Sequence, residues 1–196
     1  MNNLKPIETT YNGYRFRSRL EARWAVFFDA LGFSWEYEKE GFDLNGTPYL
    51  PDFYIPQWGA WVEIKPKVFE MESAGHNKCI LLSKETTPDK VFLVSGNPYH
   101  GEHSVICCNG GYTEWIGEFT EGIADDKRTP QLFLSAMSGN KKYPVTTMNM
   151  FMLDYAFTQA RQARFEHGDN KPVLPYPSTA QGVTDMLVLQ MLRNKR

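Results

Sequence analysis

Two short runs hold the residue types that could do chemistry. They are Tyr49-Leu50-Pro51-Asp52-Phe53-Tyr54 and, after a turn at Pro56-Gln57-Trp58-Gly59, Trp61-Val62-Glu63-Ile64-Lys65. Each run reads as a β-strand, the first with an edge or bulge at Pro51. Side chains alternate along a strand, so Glu63 and Lys65 share one face, while Val62 and Ile64 share the other, which suits a core. The short turn can bring Asp52, on the preceding strand, alongside. Two carboxylates and an ammonium at one sheet edge are costly to desolvate without a counter-ion. A divalent cation meets that need, and hard oxygen ligands favour Mg²⁺ or Mn²⁺. Such a site suits phosphodiester hydrolysis. The metal polarises a phosphate oxygen, lowers the pKa of a bound water and holds the nucleophile in line. Lys65 positions that water or neutralises charge growing on the phosphate. Glu-x-Lys alone is an ordinary polar strand face, and Pro-Asp alone an ordinary turn; their combination at hairpin separation carries the reading.

The elements that must position these residues can be read around them. A helix runs from the N-cap Ser18 to the stop at Gly32, with Leu20, Trp24, Phe27, Phe28 and Leu31 as its apolar stripe. Ser34 to Glu38 alternates as a strand, and Asp43 to Thr47 is turn material. A second helix lies roughly over 70–84, followed by a short apolar strand at Val91 to Ser95. Helix, three strands, helix, strand is an α/β unit with a mixed sheet flanked by helices. Beyond it, Ser104 to Cys108 and Tyr112 to Phe119 suggest a hairpin about Asn109-Gly110-Gly111. A long helix is expected from Thr146 or Thr147 to Gly168, and a last one after the capping-box sequence Ser178-Thr179-Ala180-Gln181, ending in a basic tail. The expected organisation is a core over 1–98 and a partly helical extension over 99–196 packed on it.

Composition bounds the partners. Hydrophobic residues make up 42% of the 196, and charged residues 22%, which excludes a largely disordered chain. Lys+Arg 21 against Asp+Glu 23 leaves a net charge of -2, so any nucleic-acid surface must be a local patch. Cys79, Cys107 and Cys108 cannot build a disulfide framework, and no C-x-x-C occurs. The start Met1-Asn2-Asn3-Leu4-Lys5-Pro6 lacks an apolar signal core, and the apolar runs are too short to span a bilayer. A soluble, cytoplasmic protein is the expectation.

Pro51-Asp52 followed by Glu63-Ile64-Lys65 resembles the PD-(D/E)XK nuclease superfamily, of restriction-endonuclease-like fold. Gly13-Tyr14-Arg15-Phe16-Arg17-Ser18-Arg19-Leu20-Glu21-Ala22-Arg23-Trp24-Ala25 is similar to the opening of phage-encoded members. The stretch Ala160 to Gly168 resembles a segment near their end. The core resemblance covers about residues 13–95. It implies a Mg²⁺-dependent nuclease acting on DNA, in the host cytoplasm if phage-encoded, that leaves a 5′-phosphate and a 3′-hydroxyl. Asp52 and Glu63 would bind metal with the backbone carbonyl of Ile64, and Lys65 would serve the attacking water. A first-helix glutamate often completes the site, and Glu21 matches it. Glu21 has a second reading, because Ser18-Arg19-Leu20-Glu21 is also a capping box. A different class stays open as well: a non-catalytic module of phage origin that binds nucleic acid or a host protein. RNA as substrate and a homodimer cutting both strands also remain open.

Arg15, Arg17, Arg19 and Arg23 form the strongest basic cluster, with Tyr14, Phe16 and Trp24 interleaved. Arg15 and Arg17 are the expected phosphate contacts. Arg19 and Arg23 lie opposite Glu21 on the helical wheel. Lys78 on the second helix is a further candidate, or a plain surface lysine. His100, His103, Cys107 and Cys108 are read as loop histidines and a buried cysteine rather than a metal site, since adjacent strand residues point to opposite faces. Met148, Met150 and Met152 are read as helix packing or an adaptable interface.

Overall fold

The computed structural model describes residues 6–56, 59–67, 73–86, 90–99, 103–118, 147–166 and 172–177. Within these residues the fold is mixed α/β. Its strands are β1 (Thr9–Tyr11), β2 (Tyr14–Phe16), β3 (Glu36–Tyr37), β4 (Phe42–Leu44), β5 (Thr47–Tyr49), β6 (Phe53–Ile55), β7 (Ala60–Lys65), β8 (Lys90–Gly96), β9 (His103–Asn109) and β10 (Tyr112–Glu118). The helices are α1 (Arg19–Leu31), α2 (Ala74–Glu85) and α3 (Thr147–Gln162). Six strands form the central sheet in the order β10-β9-β8-β7-β6-β3. Its β7–β8 pair is parallel, joined through α2, and the other pairs are antiparallel.

Helix α1 forms where its caps require. Ser18 Oγ accepts the Glu21 N–H at 3.2 Å, and Gly32 closes the helix at φ 77, a left-handed conformation that suits glycine. Trp24, Ala25, Val26, Phe27 and Phe28 are all buried in succession, more than one helix face can hide. The sheet covers one side, and α3 covers another through Phe27 and Phe157, whose ring centres lie 5.1 Å apart.

Alternation along the strands divides the core in two. Val62, Ile64, Phe92, Val94, Val105 and Cys107 pack with α1 and α3. Trp61, Val91, Leu93, Ile106 and Cys108 pack with α2 and the β4–β5 hairpin. Cys107 and Cys108 therefore serve opposite faces of the sheet.

Several expectations are corrected. The single strand over Tyr49 to Ile55 is two strands, β5 and β6, in different sheets, and the chain bends between them through Leu50, Pro51 and Asp52. Asp52 thus sits just before β6 rather than within a strand. The turn at 43–47 is a hairpin: β4 and β5 are joined by Asn45-Gly46, both with positive φ. Asn12-Gly13 joins β1 and β2 in the same way, a pair not expected before α1. The sheet runs on past residue 98, because β9 pairs with β8 along Val91 to Gly96 and β10 pairs with β9. Helix α2 starts at Ala74 behind the N-cap Ser73, and α3 ends at Gln162, before Gly168. The helix expected after Ser178, the basic tail and His100 lie outside the described residues, as do the side chains of Met148 and Met150. No helix among the described residues is long and apolar enough to cross a membrane.

Candidate active site

Asp52 and Glu63 meet where β6 and β7 diverge from the β5 hairpin. Pairing of Phe53 with Val62 sets Asp52 against the Glu63–Ile64 peptide. Asp52 Oδ2 accepts the Ile64 N–H at 2.7 Å, and its backbone carbonyl accepts the Glu38 N–H at 2.9 Å. These two bonds fix both ends of the residue. Asp52 Oδ1 accepts from Arg17 Nη2 at 3.0 Å, while Arg17 Nε pairs with Glu38 at 2.6 Å.

Glu63 points to the α2 side of the sheet, as does Lys65, whose ammonium pairs with Glu63 Oε1. The other oxygen, Oε2, accepts from the Tyr49 hydroxyl at 3.0 Å. Tyr49 in turn lies 3.5 Å from the Cys79 sulfur on α2. Asp52 and Glu63 are 5% and 6% exposed, so these partners are needed to hold two buried carboxylates.

Glu21 lines the same groove from α1. Its Oε1 accepts from Ser18 Oγ at 2.6 Å, and its Oε2 accepts from the Tyr37 hydroxyl at 2.5 Å. Ser18 thus caps α1, and the Glu21 carboxylate takes the Ser18 hydroxyl rather than the Ser18 backbone N–H of a capping box, while lining the groove. The groove has a volume of about 1020 Å³, and its walls also carry Arg17, Ile64, Lys65 and Lys78. Gly75, at the start of α2, permits the closest approach to Lys65. A Cβ there would stand 3.2 Å from Lys65 Cε.

The charges explain one another. Burial raises the Asp52 carboxyl well above the usual aspartate range, and the nearby Glu63 and Glu21 carboxylates raise it further. The Ile64 N–H and Arg17 oppose them without prevailing. Burial would lower Lys65, but Glu63 outweighs it and holds the ammonium protonated. Burial, aided by Cys79 and Glu63, raises the Tyr49 hydroxyl far above its ordinary value, so it remains a donor. Burial and then Glu21 do the same for Tyr37.

The remaining candidates separate. Lys78 lines the groove, with its ammonium 5.7 Å from the centre of the Tyr49 ring. Arg15 does not line it; its exposed side chain pairs with Glu8 across the β1–β2 hairpin. Arg19 pairs with Glu166 at 2.9 Å. Tyr37 and Tyr49, which hold Glu21 and Glu63, carry no distinguishing sequence signal beyond their places next to the acidic runs.

Among the described residues, no three His, Cys, Asp or Glu side chains gather closely enough to hold a metal ion. A cation at this site would have Asp52 and Glu63 as its side-chain ligands, with the carbonyl of Ile64, the residue after Glu63, beside them. That donor set fits Mg²⁺, which keeps several waters and takes one or two carboxylates plus phosphate oxygens. Comparison of the chain with protein-family models, curated proteins and solved structures finds no match.

Proposed function

We propose that this chain is a Mg²⁺- or Mn²⁺-dependent nuclease of restriction-endonuclease-like fold and phage type that hydrolyses phosphodiester bonds, in DNA before RNA. One observation carries the reading. Two carboxylates from separate chain segments are buried at one groove, one tied to Ile64 N–H and the other to the Lys65 ammonium. Burying like charges together is unfavourable unless a cation or a reaction uses them.

Asp52, Glu63 and the Ile64 carbonyl would hold the cation, which supplies Lewis acidity toward a phosphate oxygen and acidifies a water. The protein's own residues do the rest. Tyr49 fixes the orientation of Glu63, and Arg17 screens Asp52 and offers hydrogen-bond donors to a phosphate. Lys65 Nζ orients the attacking water and offsets charge growing on phosphorus. The water oxygen bonds to phosphorus, and the bond from phosphorus to the 3′ oxygen breaks. A water proton reaches that oxygen through solvent, giving a 3′-hydroxyl and a 5′-phosphate.

One observation favours a second reading, a binding module without cleavage. All four oxygens of Asp52 and Glu63 already have partners within the chain. Incubation with plasmid and oligonucleotides, in Mg²⁺, Mn²⁺ or EDTA, separates the two. Cleavage that requires metal and disappears in Lys65→Ala supports the nuclease. Binding without cleavage in either metal supports the module.

A further inference from the structure

Outside the groove, arginines from two helices converge on one aromatic ring. The guanidinium carbons of Arg23, on α1, and Arg161, on α3, each lie 5.9 Å from the centre of the Tyr99 ring. Among the described residues neither has a carboxylate within ion-pair distance, although Arg19, one turn before Arg23, pairs with Glu166. The Arg23 Nε is buried and has no hydrogen-bond partner there. Arg161 is exposed.

This arrangement is unfavourable as it stands. Two like charges share one site, a buried donor lacks an acceptor, and an arginine–ring contact at an exposed position is weak compensation. A tetrahedral oxyanion removes both deficits, because guanidinium forks match phosphate oxygens. The place also fits a long polyanion. Lys65 is paired in register with Ser95, so the groove opens at the same end of the sheet where β8 ends. At that end the Gly96 carbonyl accepts the Trp24 indole N–H at 3.1 Å, which ties α1, the helix that carries both Glu21 of the groove and Arg23 at Tyr99, to the end of β8. Glu21 faces the groove, and Arg23, two residues on, faces the other side of the helix.

We propose that Arg23, Arg161 and Tyr99 form a second phosphate-binding site, which grips the backbone of the nucleic acid beyond the carboxylate groove. That the phosphate belongs to nucleic acid rests on the proposed function; the site itself does not.

The test is fluorescence anisotropy of a labelled DNA duplex against the full chain in EDTA, across a salt series. Replacing both arginines, Arg23→Gln with Arg161→Gln, is expected to weaken binding roughly tenfold and to lower the salt slope by about 2. The exposed Arg161→Gln alone, which spares the fold if the half-buried Arg23 does not tolerate change, is expected to lower it by about 1. Affinity and slope equal to wild type in a folded Arg161→Gln variant overturn the proposal. So does a wild type that binds no DNA, an outcome that overturns the nucleic-acid reading too. Weakened binding by the variants with no cleavage by wild type in Mg²⁺ leaves this site standing and removes the nuclease.

Discussion

Asp52 and Ile64 are joined across the mouth of the groove: the carboxylate Oδ2 accepts the backbone N–H of β7 at 2.7 Å. This bond aims a residue that lies in no strand at the Glu63 carboxylate next along the chain. It also separates two roles of the aspartate, acceptor and charge. Asp52→Asn keeps an acceptor for Ile64 and loses the charge, whereas Asp52→Ala loses both. We expect both to abolish metal-dependent cleavage. The alanine variant should be less stable than the asparagine variant by about 1–3 kcal/mol, the cost of an unsatisfied buried N–H. Urea unfolding of the two, compared with wild type, checks this.

Tyr49 acts one step further out. Its hydroxyl donates to Glu63 Oε2, so Tyr49→Phe frees one oxygen of the Glu63 carboxylate without altering the ring packing. Loss of such an orienting partner commonly costs about 10- to 100-fold in metal affinity. Cleavage by Tyr49→Phe should therefore need more Mg²⁺ for half-maximal rate, and approach the wild-type rate at saturation. An unchanged Mg²⁺ dependence would show that Glu63 does not need this bond.

The two roles of Glu21 come apart by a pair of variants. Ser18→Ala removes the cap from α1 and should cost about 1 kcal/mol while sparing cleavage. Glu21→Gln retains hydrogen-bond capacity toward Ser18 and Tyr37, so its stability should stay near wild type. The charge it loses faces the groove, and cleavage at limiting Mg²⁺ should fall. Equal cleavage by Glu21→Gln and wild type would leave Glu21 with the cap alone.

Asp29 gives a pH dependence unconnected with the site. Burial raises its carboxyl above the ordinary range, against hydrogen bonds donated by Tyr11 and Trp35. An acid raised on folding binds its proton more tightly in the folded state. Its contribution to stability is therefore greatest below the unfolded value of about 3.9 and falls as pH rises through the folded value. Asp52 has the same sign, so the informative quantity is the difference between wild type and Asp29→Asn. Melting curves in EDTA from about pH 4 to 7 should show the variant's disadvantage shrinking as pH rises.

What the sequence makes legible follows the range of the forces involved. Helix α1 is written locally, from Ser18 to Gly32, because capping and a 3.6-residue stripe act over one helix. The shared face of Glu63 and Lys65 is likewise fixed by strand alternation. The bend at Leu50-Pro51-Asp52 was hidden by apolar residues on either side that suit one continuous strand. The hairpins at Asn12-Gly13 and Asn45-Gly46 have three-residue strands, too short for alternation to show. Tyr37 and Tyr49 look like their neighbours among many aromatics, since a hydroxyl's partner is chosen by the tertiary fold. Pairing of β9 with β8 is long-range and leaves no local mark.

That last pairing decides where the chain can be cut. Ending it after residue 98 would strip β9 from β8, turning the buried run Val91 to Val94 into an open edge. It would also remove Leu153, Ala156, Phe157 and Ala160 from the core that covers α1. An uncovered apolar edge invites pairing with other chains. A 1–98 fragment should be insoluble or lack a cooperative melt, even though it holds Asp52, Glu63 and Lys65. In the full chain, Phe157→Ala should cost about 3–5 kcal/mol by emptying the space against Phe27. Solubility and circular-dichroism melting of the fragment decide the matter: a soluble 1–98 piece with a sharp transition would show that β9 and α3 are accessory to the fold.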